Sequence, residues 1–250
     1  MNAVGAASPE GGEPDGREPE PACGPGCACT VGNEFGEATA RSDLRSYRKS
    51  GPDATTRWLL EGLRGNGVDG LSVLDIGAGV GAVHLELLKA GAASAVDVDG
   101  SPAYVTVARE EAARQGLADR MSYQVGDFVT LAPGIAPADL VALDRVVCCY
   151  PDMQALIRQS VARARLRYGL VYPRDAWWIR AGGAVLNSVA RVARRRVRAY
   201  VHRTVEVDAI VRGAGFTPRL RRTNMFWQVA VYERADPLAL TAEPSWAGSQ

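Results

Sequence analysis

The sequence predicts an α/β fold: a doubly wound, Rossmann-like, mostly parallel sheet ending in an antiparallel strand pair, with N-terminal helices and a helical insert. Three observations predict it. From residue 71 onward, short β-type runs alternate with helical segments. A glycine-rich turn, "GAGVGA", directly follows the first of those runs, where open α/β sheets bind their ligands. The last two β-type runs have no helix between them, so they read as an antiparallel hairpin.

The elements follow in order. Residues 34–51 and 53–65 read as two helices, the first ended by Gly51 and Pro52, the second opened by Asp53 as N-cap and closed by Gly65. Residues 71–77, "LSVLDIG", form the first strand, and 82–91 a helix with Gly91 at its end. Strand 94–99 precedes a helix over 102–116, with Pro102 early and Gly116 as its stop. Strands at 121–127 and 138–144, a helix over 153–167 and a strand at 168–174 continue the pattern. Residues 176–199 are a helical insert, 205–215 a last helix, and "FTPRLRRT" with "FWQVAVYER" the final strand pair. These elements make one domain over 34–234, with the insert at 175–200. Residues 1–33 are rich in Gly, Pro, Glu and Ala and read as a disordered tail; 235–250 read as a second.

Lys and Arg number 29 against 28 Asp and Glu, a net charge of +1 that implies no nucleic-acid partner. Residues 1–22 carry five acids and one arginine, so the body is mildly basic beneath an acidic tail. The five cysteines are clustered and odd in number, which is no disulfide framework and fits a reducing, cytoplasmic setting. Cys23, Cys27 and Cys29 have no fourth ligand nearby, so they read as free thiols and no metal is expected. The start of the chain has neither the basic nor the apolar part of a signal peptide. The sequence is silent on oligomeric state.

The glycine turn alone fits a dinucleotide fingerprint, with an acid at Asp97 or Asp99, so an NAD-linked oxidoreductase is one reading. Asp75 opposes it, because a carboxylate at the strand tip repels a pyrophosphate and attracts an ammonium group. Gly81 adds a third glycine, giving room for a bulky ligand. No Gly-Lys-Ser/Thr follows, which excludes a P-loop.

"VLDIGAGVG", followed by "VDVDGSP" and "VGDF", resembles the class I S-adenosylmethionine-dependent methyltransferases over roughly residues 40–234. The resemblance implies S-adenosylmethionine as cofactor. It places Asp75 toward the methionine ammonium, directly or through water, and Gly77, Gly79 and Gly81 under the methionyl and ribose parts. Asp99 would accept the ribose hydroxyls, with Asp97 as the competing choice. Asp127 would accept from the adenine amino group with Phe128 beside the ring, and Tyr47 would close over the cofactor.

The loop "LDRVVCCYPDM" resembles that of the magnesium-protoporphyrin O-methyltransferases, with one extra residue and Cys149 in place of a histidine. Methyl transfer asks the protein mainly for alignment, and for a base when the acceptor is a hydroxyl or acid. Candidates at the acceptor end are Asp144, Tyr150 and, as general base, His202; Cys148 and Cys149 read as diverging packing residues. In the insert, Trp178, Val185, Val189 and Val192 recur at helical spacing beside many arginines. It reads first as a substrate lid, then as an ordinary packed helix, then as a membrane-surface contact. The expected activity is methylation of a small-molecule acceptor at oxygen; alternatives are a C- or N-methyltransferase and a cofactor-binding module without transfer activity.

Overall fold

A computed structural model of the chain describes residues 35–193 and 198–235. The tail cysteines Cys23, Cys27 and Cys29, and nearly all of both predicted tails, lie outside the described residues. Seven strands form one sheet in the order β3-β2-β1-β4-β5-β7-β6. They are β1 Ser72–Ile76, β2 Ser94–Asp99, β3 Met121–Val125, β4 Ala138–Asp144, β5 Ala164–Pro173, β6 Phe216–Thr223 and β7 Trp227–Arg234. The first five run parallel, and β7 is antiparallel to both β5 and β6.

Among the described residues, eight α-helices flank the sheet: α1 Glu37–Ser50, α2 Ala54–Arg64, α3 Ala82–Lys89, α4 Pro102–Arg114, α5 Phe128–Leu131, α6 Met153–Val161, α7 Trp177–Val192 and α8 Thr204–Gly213. Two apolar cores follow. Leu44, Leu59, Leu63, Leu85, Leu88 and Val107 bury α1 to α4 against one face. Leu156, Ile157, Val207, Val211 and Tyr168 bury α6 and α8 against the other. The order reverses between β1 and β4, so their loops leave toward opposite faces and open a crevice at the carboxyl edge.

The predicted helix over 153–167 is too long. It stops at Val161, and 164–167 already belong to β5. Ala164 pairs with Ala138, and Arg167 is held in the strand by its own side chain. That guanidinium donates through Nη1 to the carbonyls of Leu63, Arg64 and Gly67, and pairs with Glu233. It thereby satisfies the carbonyl end of α2, where helices leave acceptors unmatched.

Candidate active site

The crevice holds a cavity of about 520 Å³, within the range of small-molecule sites. Its wall is built from the ends of four parallel strands: Gly77–Val80 after β1, Asp99–Ser101 after β2, Gly126–Phe128 after β3, and Asp144–Val146 with Cys149 and Tyr150 after β4. Phe35, Asp43, Ser46 and Tyr47, on α1 and just before it, close the remaining side.

Asp99 is held on this wall by two backbone amides. Its Oδ2 accepts the Gly79 N–H at 3.0 Å and its Oδ1 accepts the Ser101 N–H at 2.8 Å. Each oxygen keeps a lone pair for a ligand. Burial raises this carboxyl above its usual range, against the pull of those two amides. The Gly79 φ of +58° turns the chain back over Asp99. Gly77, at φ +64°, passes so near the β4 loop that a Cβ would sit 2.5 Å from Val146. Asp97 is elsewhere: it is wholly buried, off the cavity wall, and neither of its oxygens has a partner. Asp97 and Asp99 share a face of β2, two residues apart; they differ in depth, Asp97 lying inside the strand and Asp99 at its carboxyl end, on the cavity wall.

Asp75 and Gly81 are placed differently from expectation. Neither lines the cavity. Asp75 lies wholly buried beneath the turn, where Oδ2 accepts the His84 backbone N–H at 3.2 Å and meets His84 Nδ1 at 3.0 Å. Gly81 is the N-cap of α3, left-handed at φ +82°, and has no side chain to offer the first turn. Asp75 supplies that missing acceptor from the strand. The absent Cβ at Gly81 makes room for His84, whose Nε2 would be 2.4 Å from it. The third glycine thus accommodates a buried histidine. Asp75 Oδ1 and His84 Nε2 have no protein partner.

Asp127 caps α5 through Thr130, and its other oxygen accepts the Tyr150 hydroxyl at 2.8 Å. Phe128 is buried beside it on the wall. Tyr150 lines the cavity, its hydroxyl engaged with Asp127. Tyr47 lines the cavity with its ring and donates its hydroxyl away, to Glu86 at 3.0 Å.

Asp144 stands on the wall at the end of β4. It accepts from Thr56 Oγ1 at 2.5 Å and from Arg145 Nε at 3.0 Å. Burial raises its carboxyl, with Arg145 opposing. Arg145 also pairs with Asp53, the residue that caps α2. Its φ of +62° is the single left-handed value of a non-glycine among the described residues. Sequence reasoning missed Arg145 and Thr56, because no pattern foretells an arginine in that conformation. It also missed Tyr104, which lines the wall and donates to Asp43 at 2.5 Å.

His202 is not on the cavity wall. One ring nitrogen is spent on the Val147 carbonyl at 3.0 Å, and the ring stacks on Tyr200 at 5.9 Å. Burial lowers its pKa, so the neutral ring acts as a latch on the β4 loop. The cysteine reading also changes. Residues Val147–Cys149 form a tight 3-10 turn, which brings the two sulfurs to 3.6 Å. Cys148 is buried, and Cys149 lines the cavity. No described residue of the insert lies on the cavity wall.

Residues 73–165 match a family model described as a methyltransferase domain. The ribosomal protein L11 methyltransferase of Enterobacter sp. (strain 638) is 36% identical over 92 residues, 37% of this chain and 30% of that protein. Its counterpart in Xylella fastidiosa (strain 9a5c) is 38% identical over 138 residues, 50% of this chain and 45% of that one. The chain thus spans less than half the length of these curated relatives. Among solved structures, magnesium protoporphyrin IX methyltransferase from Synechocystis PCC 6803 with bound SAH superposes with a TM-score of 0.59 at 22% identity, covering 78% of this chain and 86% of that one. A methyltransferase in complex with its Trm112 activator, from Haloferax volcanii, gives 0.61 at 17% identity, covering 81% and 96%. At these identities the two structures share the fold.

Proposed function

We propose that the chain is a class I S-adenosylmethionine-dependent methyltransferase that methylates a small-molecule acceptor, at oxygen; the match of residues 73–165 to a methyltransferase-domain model and the shared fold support the class. The observation that carries this reading is Asp99, fixed by two backbone amides and lining a cavity of about 520 Å³. A paired acceptor of this kind suits a vicinal diol, and two oriented amides hold it without further rearrangement.

The residues fit the cofactor. Asp99 would take the ribose hydroxyls, Asp127 and Phe128 the adenine, and the Gly77–Gly79 turn the methionyl chain. The orphaned Oδ1 of Asp75 lies beneath that turn and gives the ammonium end a buried negative neighbour. When bound, S-adenosylmethionine supplies an electrophilic methyl group on a sulfonium. The chain's own task is to exclude water and hold an acceptor oxygen in line with it. Asp144 is assigned the acceptor end. It is a wall carboxylate whose raised pKa suits it to receive a hydroxyl proton. Thr56 and Arg145 orient it there.

Calorimetry tests the cofactor and labelled transfer tests the acceptor. The protein is expected to bind S-adenosylmethionine and not NAD, and Asp99→Ala to weaken that binding at least tenfold. In a cell extract, labelled methyl should appear in a low-mass, alkali- or acid-characterised ether or ester. Label on protein would replace the small-molecule reading, label on carbon or nitrogen the O-methyl reading, and tight binding without transfer would leave a cofactor-binding module.

A further inference from the structure

Helix α7 is mounted with its apolar face outward. Its inner edge is Ile179, Gly183, Asn187 and Ala190. Asn187 exchanges two 2.8 Å hydrogen bonds with the Ala199 backbone, Gly183 sits against Val201, and Ala190 is its one buried residue. The opposite side presents Trp178, Val185, Val189 and Val192 within about 60° of arc, on a helix of about 3.6 residues per turn. Val185 is 65% exposed, Val189 60% and Val192 87%. An ordinary surface helix is built the other way round. The strip extends onto the turn between β6 and β7, where Met225 and Phe226 are exposed and Phe226 meets Trp178 edge-on at 5.6 Å.

The sequence of this segment is strongly basic. Residues 174–203 contain eight arginines (174, 180, 191, 194, 195, 196, 198 and 203) and one acid, Asp175, which pairs with Arg180 at 3.3 Å. Exposed Arg180 and Arg191 lie on the same flank of α7, about 100° around the helix from the near edge of the apolar strip. We infer that this face binds an anionic lipid bilayer surface. The apolar strip enters the boundary between headgroups and acyl chains, and the arginines meet phosphates. No helix among the described residues is long and apolar enough to cross a membrane, so α7 lies along the surface, about 24 Å in length.

Other occupants fit less well. A second copy would bring its own arginine excess against this one. The acidic residues 1–22 of the same chain have the right charge but, beyond Met1 and Val4, no large apolar side chain to cover the strip. The inference is independent of methyl transfer, and its test uses no activity.

The full chain is sedimented with vesicles of pure phosphatidylcholine or of phosphatidylcholine with a quarter phosphatidylglycerol. The expected result is at least tenfold stronger binding to the anionic vesicles, weakening as salt rises. V185E/V189E, both at exposed positions, should remove at least tenfold of that binding while circular dichroism and S-adenosylmethionine affinity stay unchanged. R180Q/R191Q should weaken anionic binding several-fold and leave neutral binding unaltered. The inference is overturned by equal binding to both vesicle types, by unchanged binding of V185E/V189E, or by a dimer that V185E/V189E dissociates without any vesicle binding.

Discussion

Asp97 sits wholly buried with neither oxygen partnered, beside Asp75 on the adjoining strand. Burial first, and the nearby Asp75 and Asp99 next, raise its carboxyl well above the ordinary 3.8. The folded chain therefore keeps a proton that the unfolded chain releases, and stability falls as pH rises from about 4 toward the raised value. Asp97→Asn cannot ionise. It should match the parent in urea unfolding at pH 4 and exceed it increasingly toward pH 8; parallel curves would exonerate Asp97. His84 makes the complementary case. His84→Ala strands the Asp75 carboxylate in the core, an expected loss of about 3–5 kcal/mol, measurable by urea titration. At this scale the sequence was legible where a residue's type names its task. The acid before "GSP" is such a residue. It was illegible where burial decides: nothing in "VDVD" tells that Asp97 is wholly buried without a partner.

At the scale of elements, α2 is held at both ends by side chains from elsewhere. Asp53 accepts the Thr55 and Thr56 amides at its start, and Arg167 covers three carbonyls at its end. Arg167→Ala orphans those carbonyls and should cost about 2–4 kcal/mol, read as a lower urea midpoint. Arg145→Gly should relieve about 1–2 kcal/mol of left-handed backbone cost yet loosen Asp144. The expected outcome is a stability change smaller than that of Arg167→Ala and a larger loss of transfer rate. Element types came through from the sequence because their periods and caps are local. The end of α6 did not, because Ala164–Arg167 are drawn into β5 by partners on β4 and α2. The orientation of α7 was equally hidden: helical spacing reports a stripe, and docking contacts decide which way it faces.

For the whole molecule, ligand binding and unfolding are linked. At a hundredfold excess over its dissociation constant, S-adenosylmethionine should add about 2.7 kcal/mol of stability, or roughly 5–10 °C in Tm for a chain of this size. Asp99→Ala should show no such rise in a thermal scan. The sheet itself was readable as a whole, down to its antiparallel ending, since strand and helix alternate plainly from residue 71.

The reversal of strand order between β1 and β4 divides the chain's labour. On the proposed reading, residues on the β1–β3 side would meet the constant reagent, and those after β4 whatever is to be modified. Such a molecule can be retailored on one side while the other stands still. Exchanging the loop 145–149 after β4 would, on that reading, change the clientele of this fold and leave its supply of methyl groups untouched.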